Sequence, residues 1–234
     1  MHKNDKLKFM LHAKTRQFQY RIKQARRIIE KAFCDCDGWY VALSGGKDST
    51  VVFDLAGNVT AVFSDDEWWL PETEAYIKRL QVAGHDVRWI RTNATHTEWF
   101  STSGDWDGIP HYASNQDWQG CFLGLRKDEN SHRRVHLNRF GSLFFAQSDN
   151  FWHCNPIANW SATDVWAYIV SRDIDYNHAY DRLTELGIPI ERQRIGLLAV
   201  DRALGYGQLP ILKRGWPDLY NRFAAAYPEA SSYV

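Results

Sequence analysis

The chain has 234 residues, with 28 basic against 28 acidic side chains and 44% hydrophobic residues, a globular composition that excludes a disordered or fibrous protein. At this length a single domain buries roughly 70–75% of its unfolded surface and needs neither disulfides nor metal to fold. No run approaches the ~20 apolar residues of a membrane span, and no apolar stretch follows the basic N-terminus, so the expectation is a cytoplasmic protein with no membrane partner.

Charge is unevenly spread. Residues 1–33 hold ten Lys/Arg against Asp5 and Glu30, a net +8 that leaves −8 for the remainder. Within this segment residues 12–33 read as one amphipathic helix, with Ile22, Ala25, Ile29 and Phe33 on one face and basic residues opposite. Such a face is either solvated or a contact for nucleic acid or another polyanion. Trp39 to Leu43 reads as a buried strand. A glycine-rich loop follows, then a helix from about Ser49 to Ala56, stopped at Gly57. Val59 to Phe63 is a second strand, Pro71 to about Ala83 a helix, and Val87 to Ile90 a third strand. Residues 92–119 carry little periodicity. Cys121 to Leu125 is a fourth strand, and Leu143–Phe145 with Trp152–Cys154 suggests a hairpin. Ser161 caps a helix to about Ser171, and further helices cover 178–186, 194–204 and 215–226. Strands alternating with helices argue for a parallel sheet wrapped by helices. The eleven Trp read first as core and second as stacking platforms. The spacing of Cys34, Cys36, Cys121 and Cys154 fits no strong metal pattern, and free thiols are expected.

The strongest signal is Ser44-Gly45-Gly46-Lys47-Asp48-Ser49 between a strand and a helix. Adjacent glycines let the backbone turn tightly and bring N–H groups to an anion. The following helix adds unpaired amides and a positive dipole end. Ser44 and Ser49 add hydroxyl donors, and Lys47 a positive point charge. Asp48 holds Mg²⁺ or orients the loop. The spacing differs from the G-x-x-x-x-G-K-[ST] phosphate loop.

At these residues the chain resembles the ATP pyrophosphatase (adenine nucleotide alpha hydrolase) superfamily, and more narrowly the phosphoadenosine phosphosulfate (PAPS) reductase family. Val62-Phe63-Ser64-Asp65 with Leu70-Pro71-Glu72-Thr73, the segment Gly124 to Arg133, and Asn155-Pro156-Ile157-Ala158-Asn159-Trp160 with Asp164 to Ile169 carry the narrower resemblance. It implies an open, mainly parallel twisted sheet with helices on both faces. It divides the chain into a basic N-terminal helical segment (1–38), a nucleotide-binding α/β domain (39–175) and a helical C-terminal extension packed on it (176–234). It also implies an adenine nucleotide at the carboxyl ends of the strands, where open α/β sheets bind ligands on general grounds. Residues 44–49 then hold phosphates, Ala42, Leu43 and Asp65 lie near adenosine, and Gly124 admits the nucleotide. Arg126 and Arg133 meet phosphate or a second anionic substrate.

The chain departs from that family in two respects: no Cys follows Cys154, so no C-terminal reductase thiol is expected, and the helix after the loop is short, with Gly57-Asn58 arriving early. The expected chemistry is therefore cleavage of ATP, with Mg²⁺, to AMP and pyrophosphate, adenylylating an acceptor, with Lys47, Asp48 and Arg126 catalytic. Sulfur transfer in nucleic-acid modification, with a sulfur donor protein or with Cys121 or Cys154 as carrier, is compatible with this reading. The alternatives are a sulfonucleotide enzyme, either a divergent reductase or a sulfate adenylyltransferase-like subunit, and a non-catalytic nucleotide-sensing regulator.

Overall fold

The computed structural model describes residues 1–65, 68–91, 116–148, 150–197 and 208–234. Two helices open the chain, α1 (Lys3–Ala13) and α2 (Arg16–Asp35), where the periodicity suggested one. The break falls at Thr15, whose extended backbone and side-chain oxygen, accepting from the Phe18 amide at 3.3 Å, start α2 afresh. The apolar face of α2 buries Phe18, Ile22, Ala25, Ile29 and Ala32, while Phe33 is 41% exposed.

The strands are β1 (Trp39–Ala42), β2 (Ala61–Asp65), β3 (Val87–Arg91), β4 (Gly120–Phe122), β5 (Leu143–Ala146) and β6 (Phe151–Cys154). They form one sheet in the order β3-β2-β1-β4-β6-β5, parallel except for the antiparallel pair β5–β6. The second strand runs two residues later than expected. The fourth ends early, because beyond Leu123, whose amide still donates to Cys154 O, the chain turns away at Gly124.

Between strands lie α3 (Lys47–Ala56), α4 (Pro71–Val82) and α5 (Ser131–Phe140), followed by α6 (Ala162–Ser171), α7 (Ala179–Glu185), α8 (Gln208–Gly215) and α9 (Pro217–Ala226). A 3-10 turn occupies Ile190–Arg192. Residues 194–197 are irregular rather than helical; the rest of the helix expected at 194–204, and nearly all of segment 92–119, lie outside the described residues.

The period-two alternation of strand residues gives the sheet two faces. Trp39, Val41, Ala61, Phe63, Phe122 and Cys154 face a core that also takes side chains from α1 to α4, α6 to α9. Tyr40, Val62 and Cys121 face the other way, with Trp118, Leu123 and Phe151. On that second side α5 rings stack on β5: His136 and Phe140 lie 5.6 and 5.1 Å from Phe144. Among the described residues no helix is long and apolar enough to cross a membrane.

Asp164 ties the N-terminal helices to this core. Its carboxylate forms a capping box with Ser161 at the head of α6, lies 2.7 Å from His12 Nε2 and pairs with Arg21. Burial pushes its pKa up, but hydrogen bonds from His12 and Ser161 and the Arg21 charge outweigh this and hold it below the ordinary 3.8. A depressed carboxyl contributes stability above its unfolded pKa and loses it as pH falls through the folded value. Asp164→Asn should therefore cost about 2–4 kcal/mol at neutral pH in urea unfolding, because it leaves a buried polar cluster unbalanced. The deficit should shrink as pH falls below the ordinary carboxylate value; an equal deficit in acid would contradict the assignment.

Candidate nucleotide site at the carboxyl end of the sheet

The strand order reverses at β1: its sequence successor β2 lies on one side and β4 on the other. Open α/β sheets have a crevice outside the carboxyl ends of the strands at such a point. The loop 44–49 leaves β1 there. Leu43, 2% exposed, extends the ladder by donating to Val62 O at 2.9 Å. Gly45 has φ +70, and a Cβ on it would stand 2.9 Å from the Thr73 methyl, so this position requires glycine. Gly46 is extended and is the N-cap of α3, which starts two residues earlier than the pattern suggested. Lys47 and Asp48 thus lie in the first helical turn, whose amides have no intrahelical acceptor.

The loop is held from several sides. The Ser44 and Ser49 hydroxyls are 3.1 Å apart, and Ser49 Oγ donates to Gly46 O. Asn177 Nδ2 donates to Gly45 O at 3.3 Å and to Thr73 Oγ1 at 2.8 Å, while its Oδ1 accepts from the Ala179 amide at the start of α7. Tyr180, on α7, accepts the Lys47 amide at 3.0 Å, and its ring lies 5.6 Å from Lys47 Nζ. Sequence reasoning missed Asn177, Tyr180 and Gln193; Thr73 it named only inside a longer motif. For Asn177, its place just before the start of α7 was the available signal.

Charge is balanced in a buried chain. Lys47 Nζ lies 3.0 Å from Asp48 Oδ2 and donates to Gln193 O at 3.4 Å. Arg126 Nε donates to Asp48 Oδ1 at 2.5 Å, and Arg126 Nη1 reaches Trp160 O and Asp128. Lys47 and Arg126 are each 4% exposed. Burial favours the neutral form of Lys47, but the charge of Asp48 and its hydrogen bond to the ammonium work against this, and the pKa of Lys47 is raised. Burial likewise raises Asp48, but Lys47 and Arg126 outweigh it and lower it. All three therefore stay charged, and Tyr180, raised chiefly by burial, stays a neutral phenol.

Both Asp48 oxygens are thus engaged by cations, and among the described residues no group of three His, Cys, Asp or Glu side chains could hold a metal. The donor set does not fit Mg²⁺ held by Asp48; of the two expectations, the geometry matches orientation of the loop. Gly124 packs on the loop itself: a Cβ there would stand 2.8 Å from Asp48 C and Ser49 N. Arg126 is brought to Asp48, and its amide donates to Glu129 Oε2 at 2.9 Å. Arg133 is half-exposed on α5 and paired with the same Glu129. Ala42 and Asp65 lie at the ends of adjacent strands; Asp65 is buried and accepts from Trp89 Nε1 at 2.8 Å. Cys121 and Cys154 are buried; burial pushes the first up to about 12 and the second further, so neither is a thiolate.

Residues 38–196 match the phosphoadenosine phosphosulfate reductase domain. The chain belongs to that family. It is 26% identical over 227 residues to an uncharacterized protein of Methanocaldococcus jannaschii, covering 86% of this chain and 51% of that protein, so it spans about half the length of this relative. Among solved structures the fold is shared with PAPS reductase from Candida auris in a phosphate complex (TM-score 0.55, 16% identity, 78% of this chain and 95% of that one). It is shared also with Candida glabrata FMN adenylyltransferase in complex with FAD and inorganic pyrophosphate (TM-score 0.58, 12% identity, 75% and 66%). At this level of identity the likeness to these enzymes shows the fold that the chain shares with them.

Two substitutions test the loop geometry. Gly45→Ala should cost about 1–2 kcal/mol in urea unfolding, from its left-handed backbone and the Thr73 contact. Gly46→Ala, extended and with its nearest neighbour at 3.3 Å, should cost clearly less. The reverse order would overturn the assignment.

Proposed function

We propose that this member of the family binds ATP in the loop 44–49 and cleaves it between the α and β phosphates, transferring AMP to an acceptor. The observation that carries the reading is the convergence of the α3 N-terminus and Lys47 on one place at the strand reversal, with Asp48 and Arg126 fixing the lysine. Helix amides and a lysine there form one anion-binding subsite, suited to two linked phosphates leaving together as pyrophosphate. An acceptor oxygen attacks the α-phosphorus; the bond from that phosphorus to the bridging oxygen breaks, pyrophosphate leaves with the electron pair, and a hydroxyl acceptor gives its proton to solvent. Ser44 and Ser49 hydroxyls and the backbone around Gly45 hold phosphate oxygens, Ala42, Leu43 and Asp65 border the adenosine, and Arg126 acts by holding Asp48. Mg²⁺ accompanies the nucleotide's own phosphates, and no step depends on a metal bound to Asp48.

The adenylylated acceptor is an electrophile with AMP as leaving group, open to sulfur or nitrogen. Sulfur would come from a separate donor, since Cys121 and Cys154 are buried thiols. The same burial removes Cys121 and Cys154 as the reactive thiolate that the sulfonucleotide reductase reading needs. The exposed basic residues Lys23, Arg26 and Arg27 of α2 support contact with a polyanion.

Radiolabelled ATP resolved by chromatography should give AMP and pyrophosphate, slowly without acceptor because positioning supplies much of the rate. Lys47→Ala should lower turnover by about 10²-fold or more, with a smaller effect on adenosine affinity. ADP and phosphate as the only products, lost in Lys47→Ala, would refute the reading while leaving the nucleotide site.

A further inference from the structure

The sequence Ser131-His132-Arg133-Arg134-Val135-His136-Leu137-Asn138-Arg139-Phe140 has no acidic residue, in a chain whose residues beyond 33 sum to −8. It forms α5, and only Leu137 on it is buried. A helix this polar, with one anchoring residue, is not shaped by core packing. Its outer surface is not purely polar: Val135 is 67% exposed and Phe140 43%. Arg139 lies 5.1 Å over the Phe140 ring.

The rings form a row. His136 and Phe140 are 4.9 Å apart, Phe140 stacks on Phe144 at 5.1 Å and 29°, and Phe144 stacks on His153 at 5.2 Å and 15°. The row runs from α5 onto β5, the edge strand of the sheet. Exposed cationic side chains beside exposed aromatic surface at the edge strand are the two components that bind a single-stranded polynucleotide: charge tracks the backbone, and rings stack bases without selecting among them.

The surface also leads to the loop. Glu129 pairs with Arg133 of α5 and accepts the Arg126 amide, and Arg126 holds Asp48 in the first turn of α3. Resting on the adenylyl-transfer reading, we propose that α5 and the β5 edge seat the acceptor, and that the acceptor is a single-stranded nucleic acid. Arg134 and Arg139 meet its phosphates, and Phe140 stacks on a base.

Fluorescence anisotropy with a labelled single-stranded oligonucleotide of about 20 thymidines, without ATP, tests this. The wild type should bind at low salt, better than to the matching duplex. Arg134→Glu with Arg139→Glu should weaken binding at least about tenfold and flatten the salt dependence by between one and two counterions. Phe140→Ala should weaken binding with the salt slope unchanged, which a purely structural role for the ring would not produce. Melting temperatures of the variants report whether they fold. No wild-type binding at low salt, equal binding by the charge-reversed α5 variant, or losses confined to Arg26→Glu with Arg27→Glu on α2 would overturn the proposal. Because ATP is absent, failure of the ATP reading would show separately, as oligonucleotide binding without AMP formation.

Discussion

Asp48 sits between two cations that it cannot release singly. Lys47 and Arg126 are both buried; without that carboxylate Lys47 would be an uncompensated buried charge and Arg126 would keep only its weaker contact with the more exposed Asp128, a loss worth several kcal/mol. The pairing fixes where the Lys47 ammonium stands, and it joins the first turn of α3 to the segment after β4. Because β1 and β4 are neighbours in the sheet, the ion pair ties together the two segments that follow them at the strand reversal. Gly124 makes that approach sterically possible, since any side chain there would collide with the backbone of Asp48 and Ser49.

The rest of the fold supports this junction. α4 supplies Thr73, the turn before α7 supplies Asn177 and α7 supplies Tyr180, so the loop is bounded by parts of the chain about 30 and 130 residues away in sequence. The Tyr180 hydroxyl occupies an amide that a bare helix start would leave to solvent, and the remaining first-turn amides are what an anion would meet. Loops of this kind combine rigidity in the backbone with an unmet electrostatic demand, which a phosphate group satisfies.

The parts legible in the sequence were those set by local rules. The glycine pair between an apolar run and a helix marked the loop, and the Ser161–Asp164 spacing marked the capping box. Helices α4, α6 and α9 were visible from Pro71, from Ser161 and from apolar spacing. Legibility failed where distant contacts decide. The Asp48 side chain offered two readings, and only its neighbours Lys47 and Arg126 distinguish them. Arg126 was expected to meet an anion from its place beyond a strand; its pairing with Asp48, 78 residues away in sequence, could not be read from that place. Asn177 and Tyr180 carry no motif on their own; their role exists only once α7 is packed on the loop. The single helix expected over 12–33 failed for a local reason, since Thr15 serves as a cap where periodicity alone continued.

The central claim is that Asp48 and Arg126 act as one unit to set the loop for a nucleotide's phosphates. A double-mutant cycle of Asp48→Asn and Arg126→Gln, read as ATP affinity by calorimetry, tests it most directly. Measurable binding by the wild type is expected, with strong non-additivity, the double variant losing at least about 1 kcal/mol less than the two single losses together. Additive losses within about 0.5 kcal/mol, or no ATP binding by the wild type, would contradict it.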